Sequence, residues 1–114
     1  MLNPDLIRIK HMLDASKEIL DFTSGKNLSD LENNRMLSLS VVHLLEIIGE
    51  AAGKISNDFR IKHDSIPWKS IKGMRNRLIH GYFDIDLDIV WKTIIHDIPP
   101  LVKELKTIVE TEKG

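Results

Sequence analysis

Between Leu37 and Ile55 the apolar residues Leu37, Val41, Leu44, Ile48, Ala51 and Ile55 recur alternately four and three positions apart. That spacing lays one continuous stripe along about five helical turns and has no counterpart in a strand, where the repeat is two. A long amphipathic helix of this kind needs other helices to cover its stripe, and the chain supplies them. Leu6, Ile9, Leu13 and Leu20 repeat at three, four and seven. Val90, Ile94, Ile98, Leu101, Leu105 and Ile108 repeat at threes and fours near the other end.

Punctuation divides the chain accordingly. Asn3 and Pro4 are a cap and a first-turn proline, and Gly25 is a stop, so the first helix is predicted over 4–24. Ser29-Asp30 cap a short turn, Asn33-Asn34 separate it from the long helix, and Asn57-Asp58 end that helix. Residues 59–66 read as a connection. Pro67 opens a third helix, anchored by Trp68 and Ile71, that runs to His80 with Gly81 behind it. Gly73 costs this helix about 1 kcal/mol relative to alanine, which points to a close contact there. Phe83 to Ile89 alternates like a strand, but no partner strand is evident and a lone strand is unstable. It reads instead as a loop whose aspartates cap the last helix. Pro99-Pro100 must kink or break that helix. The expected architecture is all-α: an antiparallel four-helix bundle with short extra helical turns and a kinked C-terminal helix, forming one domain over 1–114.

Composition excludes several function classes. With no cysteine among its 114 residues, the chain has no disulfide, thiolate zinc site or cysteine nucleophile. His11, His43, His63 and His96 lack zinc-ligand spacing, and Asp84, Asp86 and Asp88 lack the glycine and glutamate of a calcium loop. Glu46 and Glu50 share a helix face but have no further ligands at suitable spacing. No metal or other cofactor is expected. The short apolar runs and the charged N-terminus give no signal peptide or membrane span, so a cytoplasmic protein is expected.

The net charge of −1, from 16 basic and 17 acidic residues, conceals a segregation. From Ser65 to Phe83 there is no acid, while Lys69, Lys72, Arg75 and Arg77 are positive. Lys69 and Lys72 read equally as a solvated face or as contacts to RNA. In the same window stand Asn76, His80 and Tyr82. On a continuous helix Asn76 and His80 share a face, and Arg75 lies about 140° from His80. The helix end would favour protonated His80. An arginine fork suits a phosphate, and a histidine can take a proton from a ribose hydroxyl or return one to a leaving oxygen. By spacing alone, a surface arginine and a capping histidine explain the same residues.

Arg75-Asn76, His80 and Tyr82 resemble the Arg-Asn-x3-His-x-Tyr form of the HEPN motif found in HepT-like toxin ribonucleases. Leu45 to Ala52, Ile66-Pro67-Trp68, Gly73 to Phe83, Asp86 to Trp91 and Asp97-Ile98-Pro99 follow in that family's order, so the resemblance covers nearly the whole chain. It implies the toxin of a type VII HEPN–MNT toxin–antitoxin module. This would be a homodimeric, metal-independent endoribonuclease with a composite site in the dimer cleft, cleaving tRNA or mRNA. It assigns catalysis to Arg75 and His80, and substrate positioning to Asn76, Arg77, Lys72 and Glu50. Tyr82 would be the residue that an MNT-type nucleotidyltransferase antitoxin modifies with AMP. Many relatives carry arginine where this chain has His43. The alternative is a non-enzymatic helical module that binds nucleotides or a nucleotidyltransferase.

Overall fold

The computed structural model describes residues 3–80 and 84–113. The first helix, α1 (Pro4–Thr23), starts where Asn3 Oδ1 accepts from the backbone N–H groups of Asp5 and Leu6 at 3.0 and 3.4 Å. Gly25 then takes a positive φ of 72°, which a side chain would strain. The short helix α2 (Leu28–Asn33) is capped by Asn27 in a reciprocal box with Asp30; Asp30 takes part as expected, but the cap lies two residues before Ser29. Ser29, expected as a cap, instead accepts from Asn33 Nδ2.

Asn34 opens α3 (Arg35–Gly53), accepting from Leu37 N at 3.1 Å. The expected stripe is buried along it at Val41, Leu44 and Ile48, and Ile55 continues it just beyond the helix. With 19 residues and a mean hydropathy of 1.4 over an 18-residue stretch, α3 is long and apolar enough to cross a membrane, but half of that stretch is buried inside the protein, as in a central core helix.

Two expectations fail after α3. Asn57-Asp58 do not end a helix; they begin α4 (Asn57–Lys62), capped by Ser56, which is held in turn by two hydrogen bonds to the Asp5 carboxylate. Nor is the third helix continuous to His80. It is divided into α5 (Trp68–Lys72) and α6 (Met74–Leu78) at Gly73, and gives way to extended backbone at Ile79. Strands β1 (Ile79–His80) and β2 (Asp84–Ile85) pair antiparallel, with Ile79 opposite Ile85 and His80 opposite Asp84. The alternation after residue 83 therefore does carry a strand, two residues long, whose partner is the end of the supposed helix.

Asp86 is the aspartate that caps α7 (Leu87–Lys92), accepting from Ile89 N. A π-helical turn over Thr93–Asp97 joins α7 to α8 (Ile98–Lys113), with Ile98 N–H donating five residues back to Thr93. Pro99 and Pro100 lack the N–H groups that would continue an α ladder, and the wide turn immediately before them takes up the mismatch.

The bundle forms as α1 packs along α3 and α8, α5 and α6 lie across α3, and α2 covers α7. Ile9, Met12, Ile19, Leu45, Ile48, Leu78, Ile94, Ile98 and Leu105 are buried at its centre. The fold is all-α, with the two-residue ribbon as its only strand pairing among the described residues.

Candidate active site

The site begins with a missing side chain on α3. A Cβ built on Gly49 would stand 3.0 Å from the backbone oxygen of Ile71, tighter than nine in ten real Cβ contacts. Gly49 thus lets the α5 backbone rest directly on α3. One turn further, a Cβ on Gly53 would meet the aliphatic stem of Lys72 at 3.7 Å, ordinary contact. The close approach inferred at Gly73 lies instead at Gly49. A Cβ on Gly73 would find only its own turn's carbonyls at 3.5 and 3.9 Å.

This packing hangs Lys72 and Arg75 over α3 and leaves a groove walled by them and by Glu46, Gly49, Glu50 and Gly53. Across it, Arg75 Nε donates to Glu46 Oε2 at 3.2 Å. The Arg75 side chain is more than half exposed, and this contact uses one of its five donors, so the terminal fork is available to an anion. Glu50, also exposed, lies one turn along the same wall.

The remaining predicted residues do not line this groove. Asn76 is exposed on α6. Arg77 is two residues from Arg75, about 200° around the helix. It donates to Ser70 Oγ at 2.7 Å and borders a separate pocket with His96, Asp97 and Leu101. His80 is not at a helix end: α6 stops at Leu78 and His80 sits in β1, so neither the dipole argument nor the shared face with Asn76 holds. Its charge partner is Asp86, whose Oδ2 is 3.6 Å from Nε2. Tyr82 lies outside the described residues.

Two acidic residues were missed as parts of the site. Glu46 orients Arg75, and Asp86 both caps α7 and faces His80. The Gly49-x3-Gly53 spacing was the available signal for the first, because two small residues one turn apart mark where another backbone comes close. Among the described residues no group of three histidine or carboxylate side chains is arranged to hold a metal ion.

The helical bundle thus presents a groove walled by Lys72 and Arg75, and an exposed histidine on a two-residue strand that is not part of the groove lining. The family model "Ribonuclease HepT-like" matches residues 12–108, and the chain belongs to the HepT-like ribonuclease family. Its curated relatives agree. A protein of Methanocaldococcus jannaschii named "Putative RNase" is 40% identical over 97 residues, covering 85% of this chain and 89% of its own. One of Caldanaerobacter subterraneus subsp. tengcongensis with the same designation is 39% identical over 105 residues, covering 92% and 94%. A "Probable ribonuclease HepT" of Thermococcus cleftensis is 39% identical over 93 residues, covering 82% and 84%. No solved structure matches the chain at significance.

Proposed function

We propose that this chain is the toxin of a type VII HEPN–MNT toxin–antitoxin pair, a metal-independent endoribonuclease acting on cytoplasmic tRNA or mRNA as a homodimer. The observation that carries this reading is the Arg75–Glu46 pair at the groove that Lys72 also walls. It holds a permanently charged fork in place beside a second cation, where a phosphodiester needs one.

In this mechanism the Arg75 guanidinium binds the non-bridging phosphate oxygens and takes up the charge that grows on them in the transition state. The ribose 2′ oxygen attacks the phosphorus as its proton passes to a base, and the bond to the 5′ oxygen breaks as that oxygen gains a proton. The products are a 2′,3′-cyclic phosphate and a 5′ hydroxyl. His80, half exposed and backed by Asp86, is the group for one of these two proton transfers. Asn76, Lys72 and Glu50 position the strand. Arg77, on the far side of α6, contacts RNA from that side or from the second protomer. Two protomers, each contributing Arg75 and His80, make the composite site. An AMP group on Tyr82, two residues after His80 in sequence and placed by the nucleotidyltransferase, would add negative charge and bulk and exclude RNA.

The deciding experiment is RNA cleavage by purified wild type, Arg75→Ala and His80→Ala in chelator. Cleavage by wild type alone, leaving cyclic phosphate ends, is expected. Equal cleavage by all three removes the mechanism. Failure of unmodified wild type on a broad RNA panel, with RNA still bound, establishes the binding-module alternative. Light scattering reports the dimer, and intact mass after co-expression with the nucleotidyltransferase reports AMP on Tyr82.

A further inference from the structure

The Arg75 groove is the middle of three that adjoin. Through Glu50 it meets a groove between α1 and α3 that is lined by Arg8, His11 and Lys54. Through Lys72 it meets a third, lined by Arg60, Ile61, Trp68 and Lys69. The three together are walled by six lysines and arginines and only three carboxylates, Glu46, Glu50 and Asp64, in a chain whose total charge is −1. One of those carboxylates, Glu46, is already engaged by Arg75.

The middle of this surface ought to repel an anion, because the last carbonyls of α3 converge there at the negative end of a 19-residue helix. Two arginines prevent this. Arg8 donates to Lys54 O at 3.1 Å, and Arg60 donates to Ala52 O and Gly53 O at 3.2 and 3.0 Å. The exposed ammonium groups of Lys54 and Lys69 stand on either side. In the third groove Trp68 is half-buried, its ring pinned by the hydrogen bond from Nε1 to His63 O at 3.0 Å. A fixed indole among cations is the combination with which proteins hold single-stranded nucleic acid, stacking bases while cations follow the phosphates. From Glu46 to Lys54 the α3 wall alone runs about 12 Å, several nucleotides of a stacked strand.

We infer that these grooves form one track for single-stranded RNA on each protomer, with Lys54 on one side of the cleavage site and Lys69 with Trp68 on the other. This rests on the ribonuclease reading above, and it adds positioning residues that the Arg75–His80 motif does not contain.

The test uses the His80→Ala protein, so that RNA is bound and not cut, with a labelled single strand of about a dozen nucleotides. Lys54→Glu and Lys69→Glu, measured by fluorescence anisotropy, should each weaken binding several-fold. Each should also lower the slope of log affinity against log salt by about 0.7, while Lys106→Glu on α8 changes neither. In a Trp91→Phe background, RNA should quench the remaining Trp68 fluorescence. If RNA binds but both lysine variants match the parent and Trp68 is not quenched, the track is overturned and the cleavage reading stands. If no RNA binds the parent at any salt, both fall.

Discussion

Arg75 and Glu46 are 29 residues apart in sequence and join α6 to the middle of α3 through a single 3.2 Å hydrogen bond between Nε and Oε2. Both side chains are substantially exposed, so the pair contributes little to stability, within about 0.5 kcal/mol. Its value is positional. Glu46→Ala should therefore leave the melting temperature nearly unchanged while reducing RNA cleavage by about tenfold to a hundredfold, the scale of a misplaced reacting group. Glu46→Gln keeps an acceptor and should recover much of that loss. Melting curves and kcat/KM on one RNA substrate separate the two effects, and a fall in stability with unchanged cleavage would contradict the assignment.

Gly49→Ala tests the packing beneath the groove. Alanine is better than glycine in a helix by about 1 kcal/mol. Here its methyl would lie 3.0 Å from the Ile71 carbonyl oxygen, a backbone atom that cannot swing aside. Overpacking costs typically about 1–3 kcal/mol, so a net loss of stability is expected, together with displaced Lys72 and Arg75 and reduced cleavage. Gly53→Ala, which meets only the flexible Lys72 stem at 3.7 Å, should be neutral or slightly stabilising. Chemical denaturation of both variants checks the contrast.

Glu112 ties the last turn of α8 to the end of α4. Its Oε2 accepts from Lys62 Nζ and lies 2.8 Å from His63 Nε2. The Lys62 hydrogen bond first, and the His63 contact second, hold the carboxyl below its ordinary value of 4.5. A carboxyl whose folded pKa is depressed contributes stability that is complete above the unfolded value and is lost as pH falls through the folded one. Glu112→Gln should therefore lower the melting temperature at pH 7, and the gap from wild type should close as the pH is taken below 4.5. A gap that stays constant through that range would remove the ionised carboxylate as its source.

The sequence made α1 and α3 legible because each carries a long apolar stripe and an asparagine cap, Asn3 and Asn34, and local chemistry agrees with the packing. The division at Gly73 was not legible. One glycine is a small penalty in a helix, and the seating of α5 on α3, where Ile71 O closes on Gly49, is a tertiary contact that no local pattern records. The short helix α4 and the two-residue ribbon hold too few residues for any period to emerge. The groove was half legible. Lys72, Arg75 and Glu50 were identified and do meet there, whereas Glu46's role depends on how α6 sits on α3. His80 was identified but assigned to a helix end, because its strand exists only once Asp84 and Ile85 fold back on it.

That fold-back gives Asp86 two tasks which a pair of substitutions can separate. Its Oδ1 caps α7 by accepting from Ile89 N at 3.2 Å, and its Oδ2 stands 3.6 Å from His80 Nε2. Asparagine caps a helix about as well as aspartate, so Asp86→Asn should keep the fold within about 0.5 kcal/mol of wild type. It removes the negative charge that stands 3.6 Å from His80 Nε2 and helps to hold the ring. Alanine removes both the cap and the charge, and loss of a cap typically costs about 1 kcal/mol. If His80 transfers protons in cleavage, Asp86→Asn should reduce kcat at unchanged melting temperature, and Asp86→Ala should add a loss of stability to the same kinetic defect. Should Asp86→Asn cleave RNA like wild type at every pH, the aspartate is only a cap and His80 acts without it. In a His80→Ala background the asparagine substitution should have no kinetic effect of its own, because the partner it serves is gone.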